Sequence, residues 1–247
     1  MSHLHIPDGL LPVWLWASGL VVAVALLARA SRRARGQSPQ RIAYQGAMGG
    51  LMLAAMAIPF GPFEYHLTLA GPMGILLGGA GAFQVAFVVS AILALMGHGG
   101  LTVVGLNALV LGAGAVVAHR AYGPLARRMK PAAALATGTA LGQAVAGALW
   151  VGVMWLATRS WGSGGSTEHQ AVLDHRLGVL SIVVLPLWLL GIAVESLVAW
   201  GLGRFLARVQ PGLLPQGGAL AHDAGTAPTP PGSPTSSPPG NPAGEAA

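Results

Sequence analysis

Residues 65–119 read "YHLTLAGPMGILLGGAGAFQVAFVVSAILALMGHGGLTVVGLNALVLGAGAVVAH", 55 positions without one Asp, Glu, Lys or Arg. A charged side chain is costly at the centre of a bilayer, so charge-free gaps mark candidate crossings. Each crossing needs about 20 residues. Residues 9–28, 42–63 and 131–158 are also free of charge, and 177–203 holds only Glu195. The whole chain of 247 residues is 8% charged and 53% hydrophobic, where a soluble domain carries about 25% charged residues. With a mean hydropathy of +0.64, the composition points to a polytopic membrane protein and away from a soluble enzyme.

The basic residues supply the direction. Arg29, Arg32, Arg33, Arg35 and Arg41 follow the first gap. Arg120, Arg127, Arg128 and Lys130 form a second block, and Arg204 and Arg208 follow the last gap. By the positive-inside rule all three blocks are cytoplasmic. This placement accounts for the net charge of +6 and the isoelectric point near 11.1 without a nucleic-acid partner. A secretory signal peptide would carry its positive charge before the apolar core; here the arginines follow it, so the N-terminus is expected to be kept.

Parity then constrains the fold. The first span runs from outside to inside, and 42–63 returns outward. The gap at 65–119 must end inside at Arg120, so it holds an odd number of crossings. One is too few for its length, and three short ones fit at roughly 69–82, 83–96 and 101–118. Short crossings leave room for segments that dip into the membrane where protein buries them. Residues 132–157 go out and 177–203 come back. The expected fold is all-α, with seven transmembrane helices, the N-terminus outside and folded into the bundle, and the C-terminus cytoplasmic. Residues 1–9 form an N-terminal segment and 10–214 the helical membrane domain. The Pro/Gly/Ser-rich stretch 215–247 reads as a disordered cytoplasmic tail. Gly46-x-x-x-Gly50 and Gly138-x-x-x-Gly142 are candidate close-contact faces between helices.

Sidedness sorts the polar residues. His3, His5, His66 and His98 all fall on the outer side. His169 and His175 lie in the outer loop, His119 opens a cytoplasmic block, and His222 lies in the tail. Imidazole is the commonest protein ligand for Ni, Co, Cu and Zn, although a lone histidine at a helix end more often serves as an interfacial or hydrogen-bonding group. His5 and His66 stand apart because a further ligand source, the α-amino group, is close to His5. An α-amine, a deprotonated amide nitrogen and the imidazole of one histidine close fused chelate rings around Ni(II), Cu(II) or Co(II), and a distant histidine completes a square-planar array. Asp8, in Pro7-Asp8-Gly9, is expected to cap the first helix or set the turn. Glu195 is an intramembrane acid, suited to function or to structural or partner contact near Arg204. Asn107 is expected to hydrogen-bond between helices. The absence of cysteine excludes thiolate ligands and disulfides. No HExxH, Walker A or dinucleotide fingerprint is present, so any ATP hydrolysis belongs to a separate protein.

Five stretches, "HIPDG" at 5–9, "YHLT" at 65–68, "GHGGLTVVGLNAL" at 97–109, "LPLWLLGIAVES" at 185–196 and "RFLARVQPGLL" at 204–214, occur in an order that resembles the CbiM/NikM family. These are the substrate-binding components of energy-coupling-factor importers for cobalt and nickel. The resemblance spans about residues 4–215. It implies a seven-helix protein of the bacterial inner membrane whose N-terminus holds Co(II) or Ni(II) as transported substrate. The ligands would be the terminal amine, the amide and imidazole of an early histidine, matching His5, and a second histidine, matching His66. His98, Asn107 and Asp8 would support them, and His3 would be an added or alternative ligand. It also implies a small membrane partner (CbiN/NikN-like), a transmembrane coupling protein (CbiQ-like) and a cytoplasmic ATPase (CbiO-like), often serving cobalamin synthesis.

One departure stands out. The family commonly begins Met-His-Ile, whereas Met1-Ser2-His3-Leu4 precedes His5 here. Three readings follow: a start at Leu4 through a non-AUG codon, removal of Met1 so that Ser2 supplies the amine, or a retained Met1 whose amine chelates with His3. Intact-mass measurement separates them. The alternative to a transporter subunit is a membrane-embedded metalloenzyme that uses the external histidines with Asp8 or Glu64 as base.

Overall fold

The computed structural model describes residues 6, 8–9, 11–59, 65–162 and 167–215, and within 161–184 the backbone path alone. Met1, His3, His5, Glu64 and the tail at 216–247, with His222, lie outside the described residues, as do the side chains of His169 and His175. The described residues form six helices: α1 (Val13–Arg33), α2 (Pro39–Ala57), α3 (Ala70–Leu95), α4 (Val104–Ala126), α5 (Pro131–Gly162) and α6 (Thr167–Val209). A 3-10 turn at Pro211–Leu213 follows. The fold is all-helical, as the charge-free gaps require.

The helix boundaries follow local chemistry. Arg32 and Arg33 occupy the last turn of α1, where cations meet the negative end of the helix dipole. Ser38 accepts the Arg41 amide at 3.4 Å and Pro39 takes the first helical position, a start that suits proline because its missing N–H has no partner there. Asp8 does not cap α1. That position is Pro12, which makes no side-chain cap.

Among the described residues five segments are long and apolar enough to cross a membrane: 13–33, 70–95, 104–126, 131–160 and 185–209. Polarity is distributed inside-out relative to a water-soluble protein. Val21, Leu26, Val88, Val151, Leu189 and Phe205 are exposed, whereas Asn107, Thr139, Gln143 and Glu195 are buried. Lipid tails solvate the first set. They offer no hydrogen bonds to the second, which must find partners within the protein.

The seven-helix expectation meets six helices among the described residues, because the crossings expected at 69–82 and 83–96 are one helical stretch. That stretch is not straight. Gly78 has φ 77° and ψ 161°, a region open essentially to glycine alone. A straight 26-residue helix would be about 39 Å long. Instead, His66 just before α3 and His98 just after it have ring centroids 6.0 Å apart. The chain therefore runs in along 70–77, breaks at Gly78 and returns along 79–95. The turning point of this path is marked by polar contacts from α1 and α2. The Arg41 guanidinium donates to Leu77 O at 3.5 Å, and the Gln45 amide to Gly81 O at 3.3 Å and to Gln84 at 2.9 Å. Gln84 in turn donates to the Ser31 hydroxyl at 3.2 Å. The sequence placed the break four residues late because "GILLGGAGA" offers several glycines, and only packing selects Gly78.

α4 sits between α3 and α5, and α5 packs on α6. The contact between α4 and α5 is backbone to backbone: a Cβ at Gly114 would stand 2.9 Å from Gly142 O, and one at Gly142 would run into Gly114 O. Gly138 likewise faces Ala118 O. The other glycine pair is different. A Cβ added at Gly46 or Gly50 meets nothing within 4 Å, so that pair is no close-contact face within this chain. Spacing alone gave both pairs the same signal.

Candidate functional site

Three separate pieces of chain converge at the end of the bundle opposite the Gly78 break. They are the segment before α1, the stretch 65–69 before α3, and the loop 96–103 between α3 and α4.

The N-terminal segment is held by its backbone. Ile6, fully buried, donates its N–H to Asn107 Oδ1 at 2.8 Å, and its carbonyl accepts from Asn107 Nδ2 at 3.3 Å. The Gly100 N–H donates to the same carbonyl at 3.3 Å. A primary amide presents a donor and an acceptor side by side, so it pairs with the N–H and the C=O of a single residue as a neighbouring strand would. Two residues on, the Asp8 carboxylate accepts the Leu101 N–H at 2.8 Å, the Thr102 N–H at 3.0 Å and the Thr102 hydroxyl. The Thr102 hydroxyl, with the two amides, holds the Asp8 carboxyl below the usual carboxylate range. Ile6 also packs with Leu11, Leu15, Val103 and Leu106.

The loop owes its shape to "GHGG". α3 ends as Gly97 takes φ 82°, with Gly97 N–H donating to Ala94 O at 3.1 Å and His98 N–H to Leu93 O at 2.8 Å. Such a left-handed glycine stop satisfies the last helical carbonyls. Gly99 follows at φ 100°. His98 is thereby turned back toward His66. Its ring is exposed, whereas His66 is buried.

His66 Nδ1 stands 2.6 Å from Met56 O. A carbonyl oxygen only accepts, so Nδ1 is the donor in this contact. A histidine that binds a metal through one nitrogen typically donates its other N–H to a carbonyl in this way. The stretch carrying His66 is gripped on both sides. Tyr65 OH donates to Gly191 O of α6 at 3.3 Å. The Glu195 carboxylate, fully buried on α6, accepts the Thr68 N–H on one oxygen and the Leu69 N–H on the other at 3.2 Å. Gln143 of α5 donates to the Thr68 hydroxyl at 2.6 Å. Glu195 therefore contacts backbone amides, and Arg204 instead lies over the Trp200 ring at 4.8 Å.

His66, His98, Asn107, Asp8 and Glu195 thus belong to one end of the molecule. Among the described residues no three His, Asp or Glu side chains gather as a metal cluster. Tyr65, Thr68, Thr102 and Gln143 were not singled out from the sequence. Gln143 carried a usable signal, a polar side chain in the charge-free run 131–158; the others are ordinary loop residues.

Residues 5–213 match the family CbiM, described as the cobalt uptake substrate-specific transmembrane region. A Haemophilus influenzae protein described as a metal transport protein is 27% identical over 217 residues, covering 84% of this chain and 95% of that protein. The fold is similar to the crystal structure of a transition metal transporter, with a TM-score of 0.68 and 17% identity over 83% of this chain and 93% of the other. A truncated transition metal transporter gives 0.67 and 16% over 82% and 98%. The family is a component of transporters rather than a group of enzymes. This multi-pass, all-helical membrane protein belongs to the CbiM family of substrate-specific components for cobalt uptake.

Proposed function

We propose that the chain captures Co(II) or Ni(II) with high affinity at its outer end, as the substrate-binding subunit of an ATP-driven energy-coupling-factor importer in the bacterial inner membrane. The metal is cargo. His5 and His66 are the principal ligands, with His3 and the α-amine of Met1, or of whichever residue begins the mature chain, completing a nitrogen set. The observation that carries this reading is the His66 ring. Its Nδ1–H is spent on Met56 O, so Nε2 is the donor atom for a metal. His5 directly precedes Ile6, the residue gripped by Asn107 and Gly100, and Gly100 follows His98 by two residues while His98 stands beside His66.

The topology that serves this function has seven segments, with 70–77 and 79–95 counted separately. The N-terminus is outside and the C-terminus is cytoplasmic. The Arg41 contact with Leu77 O puts the Gly78 break level with the basic end of α2, which the positive-inside rule assigns to the cytoplasm. The small membrane partner, coupling protein and ATPase complete the importer, because this chain carries no nucleotide fingerprint.

The test is a titration of Ni(II) and Co(II) into the purified full chain. His5→Ala combined with His66→Ala is expected to abolish stoichiometric binding while leaving the chromatographic profile unchanged. Retained tight binding refutes the site. Affinity of the wild-type chain should also fall at acidic pH, because the ligands must lose protons to bind.

A further inference from the structure

We infer that Glu195 is a positioning residue for His66 and that α6, through it, governs whether the outer site is assembled. This rests on the capture reading above and assigns its control to a helix that supplies no ligand.

The geometry is specific. Glu195 is fully buried, and its two oxygens take two successive amides, Thr68 and Leu69, from residues 127 and 126 positions away in sequence. Leu69 has φ 51°, a left-handed conformation that is uncommon outside glycine and persists only where its surroundings impose it. A carboxylate with no donor of its own is the group suited to two N–H groups pointing the same way. Tyr65 adds a second tether to α6 through Gly191 O. His66 therefore lies between two attachments to one helix, Tyr65 on one side and Thr68–Leu69 on the other. Met56 O on α2 orients the ring and Gln143 of α5 reaches only the Thr68 hydroxyl, so neither of them grips the backbone. If α6 shifts along its axis, the 65–69 backbone moves with it. The imidazole is then drawn away from the carbonyl that orients it and from the segment held by Asn107. A buried polar anchor suits this role in a membrane: releasing it would leave the carboxyl group and two amides without partners, so α6 and the His66 backbone move as one body.

The experiment uses full-length protein in nanodiscs. Ni(II) affinity is read by titration, and ligation by the nitrogen hyperfine pattern of bound Cu(II). Glu195→Ala is expected to lower Ni(II) affinity by about 10- to 100-fold, the usual effect of removing a group that orients a ligand, and to alter the Cu(II) pattern toward that of His66→Ala. In a His66→Ala background the same substitution should add nothing to the loss; a general loosening of the bundle would add to it. Glu195→Gln keeps one acceptor oxygen and is expected to fall between wild type and Glu195→Ala. A folded Glu195→Ala variant with wild-type affinity and pattern overturns the inference. Where that variant does not survive purification, Glu195→Gln combined with Tyr65→Phe decides, and wild-type behaviour of this pair overturns it equally. A wild-type chain that binds no Ni(II) refutes the capture reading and this inference together. A wild-type chain that binds through His66 beside an unaltered Glu195 variant refutes only the role of α6.

Discussion

Two grips converge on the end of the molecule opposite the Gly78 break, and they are built differently. The stretch 65–69 is held from α5 and α6 by Gln143, Glu195 and Tyr65, all at buried or partly buried positions. The N-terminal segment is held by one buried amide, Asn107, and then by Asp8 on an exposed loop. A hydrogen bond away from water is costly to leave unmade, because water does not replace the lost partner. One at an exposed site is exchanged for water at little cost. The 65–69 stretch is tied into the bundle and moves only with its helices. Among the described residues, the segment following His5 is fastened at one dry point and one wet one, and in the proposed capture cycle it is the half more readily withdrawn.

The comparison can be broken at its dry point. Asn107→Ala leaves the Ile6 N–H buried without a partner, while the Ile6 carbonyl keeps Gly100. The cost of about 1–3 kcal/mol corresponds to about 5- to 150-fold in Ni(II) affinity, read by titration, with the 65–69 grip and the overall fold unaffected. A loss of folding in this variant would show that the N-terminal segment is part of the fixed body after all.

The wet point should matter less. Asp8→Asn keeps an acceptor oxygen but gives up the charge, and its effect on affinity is expected to be only about 2- to 5-fold, in keeping with an exposed hydrogen bond. The pH dependence has a defined sign. Thr102 and the two amides lower the Asp8 carboxyl in the folded chain. Its contribution is therefore fully present above the ordinary carboxylate range and is lost as pH falls through the lowered folded value. Hydrogen exchange at the Leu101 and Thr102 amides should accelerate, beyond the intrinsic rate, only below that range. Acceleration nearer neutrality would assign the effect to histidine instead.

The smallest effect sharpens the contrast. Thr102→Val removes the hydroxyl and leaves both amide donors in place. Metal affinity should stay within about twofold of wild type, while the Asp8 carboxyl returns upward toward its ordinary range, which an infrared pH titration of the carboxylate band detects.

Much of the fold could be read from the order of residues. The gaps between charges gave helical segments, because the cost of a charge in lipid is paid segment by segment. They did not give the helix ends. α4 runs past Arg120, and α6 begins at Thr167, so the stretch expected as an outer loop with His169 and His175 is helical instead. The site was legible in part. His66 and Asn107 stood out as polar residues in charge-free runs, and Asp8 within a turn signal. Their partners did not stand out. Asp8 looked like a helix cap and reaches instead to Leu101 and Thr102, 93 and 94 positions away. Gly46/Gly50 and Gly138/Gly142 share one spacing, yet only the second pair touches another helix.

By itself, then, the sequence determined the solvent, the helical class and the family, all of which depend on the content of single segments. Tertiary structure decided the reversal at Gly78, the pairing of Asn107 with Ile6 and the union of Glu195 with Thr68 and Leu69. Lipid solvates one apolar helix face about as well as another, so nothing local says which faces meet. That is settled by which backbones can approach closely and which buried polar groups then find each other, and both exist only once the helices are assembled.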